Sequence, residues 1–276
     1  MEWQVTTEES GLSLITFLRK KLPEHSARAL KKLIESNACL VNRRTERFSS
    51  FALAPGDQVV LLTEIQPEKV KEFEESRILF EDQSLLIYNK PPGINSDQLS
   101  KELILVHRLD RDTSGVLIFA KTETIFEKMK HLFKQHLVKK SYLAIVDGIP
   151  KKAQGTIENE LALKHRYQGQ SLWGSVAKGK GQVAITRWKK EKSGNDASLL
   201  RCWPITGRTH QIRVHLSELG HPILGDYQYG RRFHSPYRPT RCLLHAESIE
   251  FPHPVTGQML HMVAPVPDDF NLETAI

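Results

Sequence analysis

The run His107-Arg108-Leu109-Asp110-Arg111-Asp112-Thr113-Ser114-Gly115 sets two arginines around one carboxylate, with a second carboxylate two residues on. Val116-Leu117-Ile118-Phe119-Ala120 follows, apolar and β-branched enough for a buried strand. Asp112-Thr113-Ser114-Gly115 reads as a turn, since Asp and Ser bond their own backbone and Gly accepts positive φ. Asp110 is therefore expected just ahead of a rigid element, with cations on either side. A carboxylate so placed stays ionised at neutral pH and could act as a nucleophile. The plain alternative is a loop with a structural Arg–Asp pair. Three other chemistries fail on local detail. An aspartic protease needs Asp-Thr-Gly or Asp-Ser-Gly, and an extra residue intervenes. A nucleophile elbow needs Gly two before the Ser, where Asp112 stands. A phosphate loop needs several glycines and a Lys, and only Gly115 is present.

A second reactive set is Gly207-Arg208-Thr209-His210-Gln211-Ile212-Arg213-Val214-His215, followed by Gly220-His221-Pro222-Ile223-Leu224-Gly225-Asp226. Gly207 to Thr209 reads as a turn before a helix, and His210, Arg213 and Arg208 could converge on an anion. The histidines lack the His-Glu-x-x-His spacing, so no metal is read. His215 and His221 read as hydrogen-bonding within turns.

The elements that must position these residues form two parts. Ile15, Leu18 and Leu22 make one helical stripe, interrupted by Pro23. Ser26 stands as an N-cap before Ala29, Leu30, Leu33 and Ile34, a second helix carrying Arg28, Lys31 and Lys32. A strand at Cys39-Leu40-Val41, a basic loop with Arg43, Arg44 and Arg47, a Pro55-Gly56-Asp57 turn and a strand from Val59 to Leu62 complete the first part. Residues 64–77 read as a linker with a short helical turn. Beyond it, Ile78 to Phe80 and Leu85 to Tyr88 form a hairpin, Glu123 to His136 a helix, and Val138 to Val146 a strand. Residues 164–192 interleave Lys, Arg and Gly with Trp173 and Trp188. They fit a nucleic-acid-facing surface or a solvated hairpin tip equally. The formal charge of +7, with 39 Lys and Arg in 276 residues, favours a polyanionic partner. Three widely spaced cysteines fit a reducing cytoplasm, and neither a signal peptide nor a membrane-length apolar run is read.

The Asp110 run resembles the signature of the RluA-type pseudouridine synthases. Asn89-Lys90-Pro91-Pro92-Gly93, Lys140-Ser141-Tyr142-Leu143-Ala144, the Gly207 to Leu216 run and Arg241-Cys242-Leu243-Leu244-His245-Ala246 are similar to four further motifs of that family, in family order. The resemblance implies an isomerase that detaches uracil from an RNA uridine, turns it and rejoins it through ring carbon five. No electron or group is exchanged, so no cofactor is implied. Asp110 would be the catalytic carboxylate and Arg213 its partner. Tyr142 would lie against the base, Leu244 would wall the pocket, and Arg108 would fill the space of the flipped base. Taken alone, Tyr142 reads more readily as a strand aromatic buried in the sheet, and Leu244 as an ordinary core leucine, which is compatible with the wall role. Whether Asp110 attacks the sugar, adds to the base or abstracts a proton stays open.

Residues 11 to 62 resemble the small S-four-like RNA-binding module, through two helices, the Val-Asn-x-Arg turn and the Pro-Gly-Asp-x-Val close. The resulting expectation is an S-four-like α/β module at 1–63, a linker at 64–77, and an α+β catalytic domain at 78–276 with a mixed, mainly antiparallel sheet. RNA contacts are expected from Arg28, Lys31, Lys32, Arg43, Arg108 and Arg208. Large-subunit ribosomal RNA is the expected substrate, with transfer RNA second, and the protein is expected to be a monomer. Two competitors are weighed. A hydrolase would use Asp110 and Asp112 as paired carboxylates and release free uracil. A non-catalytic RNA-binding or ribosome-assembly protein would leave the Asp110, Tyr142 and Arg213 set without a use.

Overall fold

The computed structural model describes residues 1–35, 38–42, 44–46, 49–62, 73–99, 102–167, 170–230, 233–237 and 239–270. The chain divides into two compact units, Met1–Glu68 with Arg166–Ser171, and Lys69–His165 with Leu172–Ile276.

The first unit contains β1 (Glu2–Gln4), α1 (Leu14–Lys21), α2 (Ala27–Glu35), β2 (Cys39–Val41), β3 (Arg44–Thr45) and β4 (Gln58–Leu61). The strands run in the order β1-β4-β2-β3, all antiparallel. Ser13 caps α1 by accepting from the Thr16 amide, and Ser26 accepts from the Ala29 amide at 3.1 Å. The helical stripes Leu14, Phe17, Leu18, Leu30 and Ile34 close on Cys39, Val41, Val59 and Leu61. The two turn motifs prove to be one device. Asn42, at φ +52°, donates to Asp57 at 2.8 Å and accepts from the Gln58 amide at 2.9 Å. The fourth strand ends at Leu61, one residue short of expectation, and β1 is an addition to the expected elements. Three residues are too few to display a period; β1 is held by its pairing with β4 and by Trp3 packing edge-on against Phe17. Most of the expected linker lies outside the described residues; its end forms a 3-10 turn at Glu75–Arg77.

The second unit contains β5 (Ile78–Glu81), β6 (Leu85–Lys90), β7 (Ile104–Leu105), β8 (Ser114–Ala120), α3 (Glu123–Lys134), β9 (Lys139–Asp147), β10 (Gln154–Tyr167) and β11 (Gln170–Val176) apart from their ends within Arg166–Ser171, β12 (Gln182–Ser193), β13 (Ala197–Pro204), α4 (Gln211–Glu218), β14 (Leu244–Pro252) and β15 (Met259–Val263). They build one eleven-stranded sheet, ordered β11-β10-β12-β13-β9-β14-β8-β6-β5, with β15 on β14 and β7 on β8. Among the pairings whose register is described, only β14 with β8 is parallel. The mixed, mainly antiparallel α+β fold is as expected. Strand β8 is buried on both faces. Val116, Ile118 and Ala120 meet Ile125 and Met129 of α3, while Leu117 and Phe119 meet Ile94 and Leu109. That is why its sequence is an unbroken apolar run.

One local expectation needs correcting. The turn ahead of β8 falls at Arg111 and Asp112, and Ser114 and Gly115 already belong to the strand. Gly115 does take positive φ, +111°, but its task is close approach: a Cβ there would stand 2.1 Å from the Ala246 carbonyl oxygen.

Candidate active site

Asp110 lies in the loop between β7 and β8, and the loop is fastened on both sides of it. Buried Ser96 accepts from the Leu109 amide at 3.1 Å and donates to the Leu109 carbonyl at 3.0 Å. The Thr113 amide then donates to the Asp110 carbonyl at 3.1 Å. Lys90, at the end of β6, is fully buried. Its Nζ donates to the carbonyls of Pro91, Ile94 and Arg111 at 2.9, 2.9 and 3.0 Å. The Asn89 to Gly93 turn is thereby tied to the Asp110 loop. Burial pushes the Lys90 ammonium down to about 7, opposed by Asp112 and Asp110.

The flanking arginines are engaged elsewhere, against expectation. Arg108 is exposed and pairs with Asp97 at 2.8 Å, and Arg111 Nε meets Asp112 at 3.1 Å. Neighbours along an extended loop point in different directions, so adjacency in sequence does not become contact. The cation on Asp110 arrives from 103 residues away: Arg213 Nη1 donates to Asp110 Oδ2 at 3.0 Å.

Arg213 stands in the first turn of α4. Gln211 organises the entry to that helix by accepting from the Arg208 amide and the Thr206 hydroxyl, while donating to the Ile185 carbonyl and Thr186 Oγ1. His210 turns the chain at φ +56° and brings Nε2 to 3.9 Å from Asp110 Oδ1. Its Nδ1 meets the Tyr229 hydroxyl at 2.7 Å. Arg208 does not join the anion site; its Nε donates to the Val183 carbonyl at 3.0 Å. His210 and Arg213 do converge on Asp110.

Burial works against a charged Asp110, yet its pKa lies below the ordinary carboxylate value. Arg213 leads the groups that overcome the burial, followed by His210 and Lys90. Burial, then Arg213, push His210 itself down to about 4. The imidazole is thus neutral at pH 7, and at that pH the Arg213 pair carries the effect.

Tyr142 and Leu244 meet at the seam where β14 lies against β9. Tyr142 faces Ala246 and Cys202 in register, and Leu244, buried, faces Ala144. Burial, then the nearby Asp110 charge, hold the Tyr142 hydroxyl well above the usual phenol range. Among the described residues that hydroxyl makes no hydrogen bond. Asp110 therefore has a fixed cation and a neutral phenol ring beside it, and Leu244 lies on the strand paired with that of Tyr142.

Three partners are not legible in the sequence motifs. Lys90 reads there only as part of a turn. Asp226 and Gln228, which also hold Arg213, lie beyond the helix that carries it. A charged residue ending the apolar run Leu85 to Tyr88 is the available signal for Lys90.

Other assignments resolve simply. His215 is buried between Thr186 and Asn159 at 2.9 Å from each, and burial pushes it down to about 4. His221 meets the Asp147 carbonyl. Their roles are structural, though the partners of His215 lie on strands rather than in turns. Trp188 is buried in the core, so it is not a stacking platform. Arg28, Lys31 and Lys32 are exposed on α2, and Arg43 lies outside the described residues. Among the described residues no group of three or more His, Cys, Asp or Glu side chains could hold a metal ion, and no helix is long and apolar enough to cross a membrane.

Residues 84–218 match the family model described as RNA pseudouridylate synthase. "Ribosomal large subunit pseudouridine synthase C" of Escherichia coli O157:H7 is 33% identical over 96% of this chain and 92% of its own length. "Ribosomal large subunit pseudouridine synthase D" of Haemophilus influenzae is 30% identical over 97% and 91%. Among solved structures, "Human RNA Pseudouridylate Synthase Domain Containing 1" is 26% identical with a TM-score of 0.61, covering 76% of this chain and 89% of that one. The chain belongs to the RNA pseudouridylate synthase family. It is an isomerase that converts uridine in RNA to pseudouridine, and the hydrolase and non-catalytic readings are set aside.

Proposed function

We propose that the protein isomerises uridines of large-subunit ribosomal RNA in the cytoplasm, as a monomer, with Asp110 as the catalytic carboxylate. The observation that carries the role of Asp110 is its hydrogen bond from Arg213, with Tyr142 close enough for its hydroxyl to feel the Asp110 charge. The reaction needs an ionised carboxylate beside the sugar or base, a cation to orient it, an aromatic face for the detached base, and a pocket that excludes water. Asp110, Arg213, Tyr142 and Leu244 answer those needs in that order. Attack on the sugar, addition to the base and proton abstraction all require the same ionised oxygen. Exposed Arg108, on the loop beside Asp110, fills the place of the flipped base. Exposed Arg28, Lys31 and Lys32, with Arg43 and Arg208, add sequence-independent grip on phosphates. The segment 1–63 is the S-four-like RNA-binding module and 78–276 the catalytic domain, joined by 64–77. Ribosomal RNA as substrate rests on the names of the bacterial relatives.

The test incubates purified protein with unmodified ribosomal and transfer RNA and maps pseudouridine chemically. New pseudouridine in large-subunit RNA, absent with Asp110→Asn, is expected. Conversion confined to transfer RNA would overturn the substrate, and undiminished conversion by Asp110→Asn would overturn the role of the carboxylate.

A further inference from the structure

Two carboxylates grip Arg213, and they are not equivalent. Asp226, almost fully buried, takes the whole fork edge, Nε at 2.7 Å on Oδ2 and Nη2 at 2.9 Å on Oδ1. Gln228 Oε1 accepts from Nη2 as well, at 2.8 Å. Asp110, at 28% side-chain exposure, receives Nη1 alone, on Oδ2. The Tyr229 ring covers the guanidinium, its centroid 4.9 Å from the central carbon. Asp226, Gln228 and Tyr229 come from one turn, closed by the Gly230 amide on the Asp226 carbonyl at 2.8 Å. Asp226 Oδ1 also accepts from the Gln228 amide at 3.2 Å. Gly225, at φ +79°, brings this turn in so closely that a Cβ would stand 1.9 Å from the Arg241 carbonyl oxygen.

An arginine with its fork edge open takes a carboxylate by both oxygens. Here Asp226 fills the Nε–Nη2 edge, and Gln228 takes the second Nη2 proton, which would have completed the Nη1–Nη2 edge facing Asp110. Asp110 is steered through one oxygen, and among the described residues its Oδ1 accepts no hydrogen bond. We infer that Asp226 is a positioning residue that acts with Gln228: by occupying the Nε–Nη2 edge, and with Gln228 on the second Nη2 proton, it limits the grip on Asp110 to a single hydrogen bond and leaves Oδ1 for the RNA. The inference rests on Asp110 being the catalytic carboxylate. Asp226 also braces its own turn, so the test must separate the two tasks.

Single-turnover rates at saturating RNA are measured for wild type, Asp226→Asn, Arg213→Lys and the double variant, with Asp110→Asn as the blank. Reactions are followed until a loss of about 10⁴-fold remains measurable. Asp226→Asn is expected to lower turnover at least about tenfold while RNA affinity stays within about twofold. With Arg213→Lys there is no fork to occupy, so the same change should cost less than about twofold. Equal fold-losses in both backgrounds would mean that Asp226 only supports the turn, and would overturn the inference. So would unchanged turnover in the single variant, or a loss confined to RNA affinity. If Asp226→Asn does not fold, Gln228→Leu removes one grip on Nη2. A loss of about threefold in the wild-type background, and none beside Arg213→Lys, is then expected. Gln228→Leu losses equal in both backgrounds, or absent from both, would overturn the inference. Conversion by Asp110→Asn at the wild-type rate would instead sink the role of Asp110, a separate failure.

Discussion

On α2 of the first unit, Arg28, Lys31 and Lys32 are exposed. In the second unit Lys90 and Arg241 are buried and Arg213 is nearly so, each with several acceptors around it. Lys90 has three carbonyls, and Arg213 has two carboxylates and Gln228. Arg241 has Asp269 and the carbonyls of Asp112, Cys242 and Leu244. A buried cation left unmet is heavily penalised, so its neighbours over-determine its position. An exposed one can meet any phosphate that comes near. The difference teaches where substitutions should be felt: turnover and stability in the second unit, affinity and salt dependence in the first.

The sharpest way to break that contrast is Asp110→Asn. The change is isosteric and removes only the ionised oxygen. Turnover should fall by at least about 10⁴-fold, with the melting transition and RNA affinity nearly intact. A variant that loses RNA affinity instead would blur the division between the units.

Arg213→Ala comes next. It leaves Asp110 and Asp226 without their cation, and breaking such a pair costs about 3–5 kcal/mol of stability. Turnover should drop by about 10²-fold or more. Arg213 leads the groups that hold the Asp110 pKa down, while burial pushes it up. With the arginine gone, Asp110 protonates at higher pH. The acid limb of the single-turnover profile must then move upward, and the part of the stability that fades as pH falls through the folded pKa must fade earlier. Arg213→Lys should recover part of each loss. An unmoved acid limb would remove Arg213 as the partner.

The triple change Arg28→Ala, Lys31→Ala, Lys32→Ala probes the first unit. Turnover at saturating RNA should be unchanged, while the slope of log affinity against log salt becomes shallower by roughly 0.7–0.9 for each phosphate that is no longer neutralised. An unchanged slope would show that this helix face does not touch RNA. The smallest effect is expected from Tyr142→Phe. The hydroxyl is held neutral and makes no hydrogen bond among the described residues, so the ring face should suffice. Turnover within about threefold of wild type is expected, and a loss beyond about tenfold would give the hydroxyl a part in moving protons.

Much of the fold is legible in the residues. Periodicity and caps locate α1, α2 and α3, and the apolar run locates β8, because those signals are local. The motif residues Asp110, Arg213 and Tyr142, far apart in the chain, come together, and Leu244 lies on the strand paired with that of Tyr142. What stays hidden is which charge meets which. Arg108 and Arg111 bracket Asp110 in sequence yet bond to Asp97 and Asp112, since side-chain direction along a loop is set by tertiary packing. Trp188 looks like part of a basic, aromatic surface, but strand alternation turns it inward while Arg187 and Lys189 face out. Asp226 stands in the Gly220 to Asp226 run, but nothing local says what it holds, because its partner is a guanidinium 13 residues earlier in the chain.

The strand order carries a consequence for synthesis. Asp110 precedes β8 and Arg213 follows β13, yet the strand lying between β8 and β9 is β14, which begins only at Leu244. A ribosome that has made both residues has not yet made the strip that joins their two halves of the sheet. Long-range pairing of this kind is slow to form. The nascent chain therefore carries both residues of the pair without a site, and the enzyme stays silent until β14 has been translated.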